Sequence, residues 1–369
     1  MYLCRMETLK YAVIIPVYNR PDELDELLQS LTRQTFKDFE VIVVEDGSQI
    51  PAQDVADSYA DRLRIQYLTK ENGGPGQARN YGAAHAHANY YIVLDSDVIL
   101  PDTYLQAIED ELIANPCDAF GGPDRAHPDF TPVQKAISYA MTSFFTTGGI
   151  RGGKRKMDKF YPRSFNMGMK AELWHQLEGF SKMRFGEDID LSIRIFKSGA
   201  TCRLFPEAWV WHKRRTNFRQ FFKQVHNSGI ARINLYKKYP DSLKLVHLLP
   251  AVFTVGVAVL LAIFLAGLLF VGLGLIASFS GNSGCNMGPV VAFVGLALMA
   301  LALLPLLLYA LLLCTDSTIR NHSFRVGLLS IPAAFCQLIG YGTGFLRAWW
   351  QRCVLGRAAF TAFDKTFYK

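Results

Sequence analysis

Up to about Leu245, short apolar runs alternate with stretches whose apolar positions recur every three or four residues; beyond it, long runs carry almost no charge. Residues 11–17 are a compact apolar run and predict a buried strand. Residues 21–31 place Leu24, Leu27, Leu28 and Leu31 at helical spacing. Pro21 suits the first turn of that helix, and Asp22 and Glu23 suit its positive end. Residues 39–44 predict a second strand, 51–60 a helix, and 64–69 a third, shorter strand. The glycine-rich stretch 73–80 opens a helix through His87. Residues 90–94 form another apolar run that ends in Asp95-Ser96-Asp97, with Pro101 close behind. A helix is expected over 170–177. A further one over 185–196 carries Ile189, Ile193 and Phe196, with Leu191 and Ile195, as its apolar positions and Gly199 as its stop. Strand and helix alternate, so the pattern predicts an α/β fold with a mostly parallel sheet flanked by helices.

The C-terminal third reads differently. Residues 218–238 mix aromatics with cations, which suits a helix lying in a membrane interface. Three apolar stretches follow, 248–279, 289–313 and 326–346. A spanning helix needs about 20 predominantly apolar residues. The first two stretches meet this without a charge. The third contains Pro332, Gln337, Gly340, Gly342 and Gly344. The loop 280–286 has no cation, whereas 315–325 carries Arg320 and Arg325. Three full spans put the basic tail (Arg347, Arg352, Arg357, Lys365, Lys369) on the side opposite that second loop, against the tendency of cations to stay inside. The third stretch is therefore read either as a span that breaks this tendency or as a re-entrant or interfacial segment, and two to three spans are expected. The organisation that follows is 1–215 α/β domain, 216–247 amphipathic interfacial segment, 248–346 transmembrane region and 347–369 basic tail.

The chain has 369 residues, 50% of them hydrophobic, and a net charge of +7. The cations gather beside the apolar stretches, so membrane lipid rather than nucleic acid is the expected partner of that charge. Seven cysteines form no C-x-x-C pair, which argues against a disulfide framework or zinc site and fits a reducing compartment. Met1 is followed by no apolar core of a signal peptide, and no cleavable leader is expected.

Candidate chemistry concentrates at strand ends. Asp95 and Asp97 close a strand at the sheet edge where open α/β sheets bind ligands. Hard cations such as Mg²⁺ or Mn²⁺ take carboxylate oxygens and leave positions for phosphate. The same tripeptide also serves as a plain turn. The stretch 148–156 holds four glycines and four cations in nine residues, and reads either as a cationic clamp or as a solvated loop. Glu187 and Asp188 open a helix, where acids favour the helix dipole and where a general base could also stand. His212 follows a strand and is either structural or a metal ligand.

Five motifs in order, Ile15-Pro-Val-Tyr-Asn19, Val44-Glu-Asp-Gly-Ser48, Gly76-Gln-Ala-Arg-Asn80, Asp95-Ser-Asp97 and Phe185-Gly-Glu-Asp188, resemble the family 2 inverting glycosyltransferases of GT-A fold. The resemblance covers about residues 10–215. One departure is Glu45, where the family usually has Asp. The resemblance implies that Pro16, Tyr18 and Asp46 line the base and ribose pocket, that Lys70 and Arg79 meet the diphosphate, and that Asp95 contacts ribose or sugar. It makes Asp97 a ligand of Mn²⁺ or Mg²⁺, with His212 a further metal or diphosphate contact. Asp188 becomes the general base and Glu187 the residue that orients it or the acceptor. The Gln-x-x-Arg-Trp motif of processive cellulose-synthase-type enzymes is absent, since Gln224 is followed by Val-His-Asn-Ser; single-sugar addition is implied. The layout is similar to the ExoA-like glycosyltransferases of succinoglycan assembly. This implies a nucleotide-sugar donor, a UDP-sugar by expectation, and a polyprenyl-linked saccharide acceptor. It also implies a multi-pass cytoplasmic-membrane protein with its catalytic domain in the cytoplasm. Two rivals stay open: a polyprenyl-phosphate sugar synthase, which needs no base, and an inactive membrane scaffold or polysaccharide-export subunit.

Overall fold

The computed structural model describes residues 9–148, 160–183, 185–279 and 287–358. In chain order its elements are β1 (Leu9–Val17), α1 (Pro21–Thr32), β2 (Phe39–Asp46), α2 (Gln53–Asp57), β3 (Ile65–Lys70), α3 (Pro75–Ala83), β4 (Ala88–Leu94), β5 (Val98–Ile99), α4 (Tyr104–Ala114), β6 (Ala119–Gly121) and β7 (Asp124–Arg125). Then come α5 (Pro132–Thr142), α6 (Phe144–Thr147), β8 (Asn166–Lys170), α7 (Ala171–Gln176), α8 (Glu187–Lys197), β9 (Cys202–Leu204) and β10 (Val210–His212). The chain continues with α9 (Phe218–Lys238), α10 (Leu249–Phe279), α11 (Met287–Asn321) and α12 (Phe324–Trp349). These elements form two compact units. One lies mainly within 1–130 and 152–214, the other within 131–151 and 215–357.

The first unit is built on a seven-stranded sheet of order β3-β2-β1-β4-β8-β6-β9. Strands β3, β2, β1 and β4 run parallel, and β8 lies antiparallel between β4 and β6. A strand covered on both faces reads as a continuous apolar run, which is why β1 and β2 showed no alternation. Their side chains nonetheless divide by parity. Tyr11, Val13, Ile15 and Val17 pack with the leucines of α1 and with Tyr104, Leu105 and Ile108 of α4. Ala12, Ile14, Ile42 and Val44 pack on the other side with Ala78 of α3, Trp174 of α7, and Leu191 and Ile195 of α8. Helix α1 has no side-chain cap at Arg20. A missing cap costs about 1 kcal/mol. Burial of Leu24, Leu27, Leu28 and Leu31, each fully inaccessible, contributes about 2 kcal/mol per side chain. Packing thus outweighs the cap, and the Arg20 side chain is left available for another task.

A second, three-stranded sheet has the order β5-β10-β7, with His212 opposite Val98. Its junction with the main sheet is held by Asn166, whose Nδ2 donates to Ala208 O at 2.8 Å while its Oδ1 accepts from Tyr104 OH at 2.7 Å. Gly122 lies against that junction: a Cβ there would stand 1.7 Å from Ala208 O and 2.5 Å from Asn166 Nδ2. Backbone cannot yield as a flexible side chain does, so Gly122→Ala is expected to cost about 3 kcal/mol, at the upper end for overpacking. A clear drop in the melting temperature of the purified protein would show it.

In the second unit α9 and α12 pack along each other, and α12 also packs on α10, α11 and α5. Three helices, spanning Leu245–Phe279, Met287–Asn321 and Phe324–Val354, are long and apolar enough to cross a membrane. Helix α12 runs unbroken through Pro332. Its glycines are contact points. A Cβ at Gly340 would strike Val225 and one at Gly344 the His226 carbonyl of α9; at Gly342 it would strike the Pro250 carbonyl of α10. Small residues let helix backbones approach where lipid offers no hydrophobic driving force. The glycines that weakened the apolar signal of this stretch are therefore its packing surface. Helix α5 packs with Phe221, Val225 and Ala333 in this same unit. In the basic stretch 148–156 only Gly148 is described, capping α6 in the left-handed region at φ 63°; the rest of that stretch, the loop 280–286 and the tail from 359 lie outside the described residues.

Candidate active site

Parallel strands end together, so the carboxyl ends of β1, β2, β3 and β4 bring Tyr18–Arg20, Asp46, Lys70 and Asp95 to one edge of the sheet. Strand β8 runs the other way and starts at that edge, with Asn166 opposite Leu94. It thereby delivers Arg163 to the same place. Pro16 is buried in β1 and Tyr18 is 41% exposed beside it.

Asp46 is buried and fully engaged. Its Oδ1 accepts from Lys70 Nζ at 2.8 Å and Gly73 N at 2.9 Å, and its Oδ2 from Gly74 N at 2.8 Å. It therefore fixes the glycine-rich turn that opens α3, and Lys70 stands on this carboxylate. Glu45 faces the other way: its Oε2 accepts from Ala52 N at 2.8 Å and Tyr67 OH at 2.7 Å. Asn19, in the left-handed region at φ 54°, accepts from Gln49 N at 2.8 Å and Ile50 N at 3.0 Å. The loops after β1 and β2 are thus tied to each other.

Asp95, Asp97 and His212 converge, with one potential ligand atom from each lying within 4.8 Å of the others. Asp97 Oδ2 pairs with Arg20 Nη1 at 2.6 Å and its Oδ1 faces His212 Nε2 at 3.2 Å. Burial by itself raises the Asp97 pKa, but His212 and Arg20 outweigh it and hold the carboxyl well below the usual range. Burial lowers that of His212, while Asp97 and Asp124 offset this and push it up to about 9. Asp97 Oδ1 and His212 Nδ1 are buried atoms without a hydrogen bond of good geometry. The two carboxylates offer the oxygen ligands that hard cations such as Mn²⁺ or Mg²⁺ take, and the imidazole offers a nitrogen beside them. The buried Asp97 oxygen without a hydrogen bond of good geometry, close to Asp95, is the feature that suits a cation, whose arrival would displace the proton of His212 and the Arg20 contact. The residues present fit the metal.

Helix α8 supplies the second centre. Gly186, at φ 83°, makes the turn into it. The Asp188 carboxylate lies at the helix start, its Oδ1 accepting from Ile189 N at 2.8 Å and its Oδ2 from Arg163 Nη1 at 3.2 Å. Glu187 is buried, and burial, then the neighbouring Asp188, push its carboxyl up to about 7 against the opposing pull of Arg79. Arg79 is itself buried, with Nη2 on Asp95 Oδ1 at 2.5 Å and Nη1 3.6 Å from Glu187 Oε1. Arg79 therefore stands between the carboxylates rather than open to solvent.

Sequence reasoning passed over Arg20, Arg163 and Asp124. Arg20 directly follows the Pro-Val-Tyr-Asn motif and Arg163 follows Pro162, so position beside a motif was the available signal. Asp124, 3.8 Å from His212 Nδ1 and paired with Arg214, carried none, because β7 spans two residues and reads as loop.

Residues 12–173 match the family Glycosyl transferase family 2. Validoxylamine A glucosyltransferase from Streptomyces hygroscopicus subsp. jinggangensis is 29% identical over 228 residues, which cover 54% of this chain and 54% of the relative. An uncharacterized glycosyltransferase, EpsJ, from Bacillus subtilis is 34% identical over 213 residues, 56% of this chain and 61% of the relative. The chain thus spans little more than half the length of these two relatives. Among solved structures, the mannosyltransferase PcManGT from Pyrobaculum calidifontis, in complex with GDP-Man and Mn²⁺, superposes with a TM-score of 0.53 at 17% identity, covering 92% of this chain and 88% of that one. This last likeness bears on the fold, a GT-A-type sheet followed by helices. The motif residues gathered along one sheet edge lie in or beside the stretch 12–173 that is similar to Glycosyl transferase family 2.

Proposed function

We propose that this protein is a membrane-anchored inverting glycosyltransferase that moves a sugar from a nucleotide-sugar, a UDP-sugar, to a hydroxyl of a polyprenyl-linked saccharide. The observation that carries this reading is the pairing of two centres. Asp95, Asp97 and His212 form a cation-ready cluster, and Arg79 spans from it to the Glu187-Asp188 pair at the start of α8. Pro16, Tyr18 and Asp46 hold the base and ribose, Lys70 faces the diphosphate, and Asp95 contacts the ribose or sugar. Asp97 and His212 would hold Mn²⁺ or Mg²⁺, which when bound neutralises charge on the departing diphosphate. Asp188 takes the proton of the acceptor hydroxyl. The hydroxyl oxygen then bonds to the anomeric carbon from the face opposite the diphosphate, whose bond to that carbon breaks and whose oxygen keeps the electron pair. Glu187 orients the base or the acceptor.

Residues 1–215 are read as the catalytic domain, 216–247 as the interfacial segment, 248–346 as the membrane region and 347–369 as a basic tail. Three helices fit to span a bilayer support a lipid-borne acceptor. Cys117, Cys202, Cys314, Cys336 and Cys353 are free thiols, which favours the cytoplasmic membrane with the domain in a reducing cytoplasm.

The test is nucleotide release by the detergent-purified protein over UDP-, GDP- and other sugar donors, with Mn²⁺ or with EDTA, and with native membrane lipid added. Release with one donor, abolished by EDTA and restored by Mn²⁺, is expected. Transfer to polyprenyl phosphate itself would make the protein a lipid-phosphate sugar synthase. Silence with every donor, together with no donor binding, would leave a scaffold.

A further inference from the structure

Helices α3 and α8 are fastened to one short turn. Asn80, at the centre of α3, grips Phe180: its Oδ1 accepts from Phe180 N at 2.8 Å and its Nδ2 donates to Phe180 O at 2.8 Å. From α8, Arg194 donates to Leu177 O at 2.5 Å and to Gly179 O at 2.7 Å, and Asp190, fully buried, steers it through Nε at 2.9 Å. The turn passes through Glu178 and Gly179, both with positive φ, and a Cβ at Gly179 would lie 2.3 Å from Asn80 Oδ1. Only a tight turn lets both helices reach it. The result sets Arg79 of α3 beside Glu187 of α8, with the Phe180 ring 5.1 Å from its guanidinium.

Arg79 is only 2% exposed, and its Nε and Nη1 have no hydrogen-bond partner of good geometry. Buried guanidinium donors without acceptors are costly. Nη1 lies 3.6 Å from Glu187 Oε1, while Nη2 already holds Asp95. From this geometry we infer that Arg79 is a positioning residue: it joins the donor-side carboxylate Asp95 to Glu187 and so sets where Asp188 stands relative to the bound donor. It does this without touching the diphosphate. Displacements of about 1 Å at reacting groups cost on the order of 10²-fold in rate, so a strut of this kind is read in kcat. The inference rests on the transfer reaction proposed above.

The test compares Arg79→Met and Arg79→Lys in the full-length protein, using the donor that supports wild-type nucleotide release. A strut predicts that Arg79→Met lowers kcat about 100-fold while donor KM and donor Kd stay within about threefold. Arg79→Lys, which keeps a charge but not the fork, recovers about tenfold of that loss. A diphosphate ligand would instead show as a large rise in donor Kd, and that result overturns the inference. A role in folding alone would show as a lowered melting temperature, with kcat per folded molecule unchanged; that overturns it as well. A readout independent of turnover is the thermal double-mutant cycle of Arg79→Met with Glu187→Gln. Non-additive shifts are expected for groups in direct contact, and strict additivity would show that the two do not interact. Absence of wild-type turnover with this coupling intact would overturn the transferase reading and leave the contact standing.

Discussion

Replacing Asp188 by Asn is expected to lower kcat by about 10²–10⁴-fold, the usual worth of a positioned general base, with donor KM nearly unchanged. The carboxylate sits in the first turn of α8 and is partly accessible. Asparagine keeps the shape and the oxygen that accepts from Ile189 N, so helix and fold persist. What it loses is proton affinity and the charge facing Arg163. The check is steady-state kinetics with donor and acceptor varied separately, alongside donor Kd by calorimetry. Glu187→Gln serves as the control. A larger kcat loss there than in Asp188→Asn would exchange the roles of the two acids.

Asp97→Asn is expected to reduce turnover by about 10³-fold or more, since charge neutralisation at a departing diphosphate is worth several kcal/mol. Excess Mn²⁺ does not restore it if the carboxylate itself is the ligand. The same variant carries a second readout in metal-free buffer. His212 is raised from 6.5 to about 9 by its acidic partners. A group raised in the folded state contributes stability that is full below its unfolded pKa and lost as pH climbs through the folded one. The wild-type melting temperature should therefore fall between about pH 6.5 and 9 from this pair, by a few kcal/mol of stability at most. In Asp97→Asn that decline should flatten, because the carboxylate that favours the imidazolium is gone. Melting curves in EDTA across that range measure it, and an unchanged slope would remove Asp97 as the cause.

That the motif residues meet at one edge could be read from the order of strands and helices alone. Each parallel strand ends at the same edge, so motifs that close strands, such as Val44-Glu-Asp-Gly-Ser48 and Asp95-Ser-Asp97, must meet there whatever the loops do. That is a property of chain direction in βαβ units, and it needs no distances. The helical spacing of Leu24, Leu27, Leu28 and Leu31 is local in the same way, as is the length of the three apolar stretches.

Pairings between distant strands were not local, and sequence could not choose among them. Lys70 and Arg79 both read as cations near a diphosphate. Tertiary structure put Lys70 on Asp46, because Asp46 pairs in register with it across β2 and β3. It put Arg79 inside, because the 177–180 turn draws α3 and α8 together. Arg20 reached Asp97 across 77 residues, and His212 reached it through the antiparallel pairing of β10 with β5. The chain order of the motifs thus determined which residues meet at the sheet edge, and the apolar stretches determined the three helices long enough to cross a membrane. Which cation faces which carboxylate was decided by strand register and helix packing, since charge is the same at every position while distance is set only when the chain has folded.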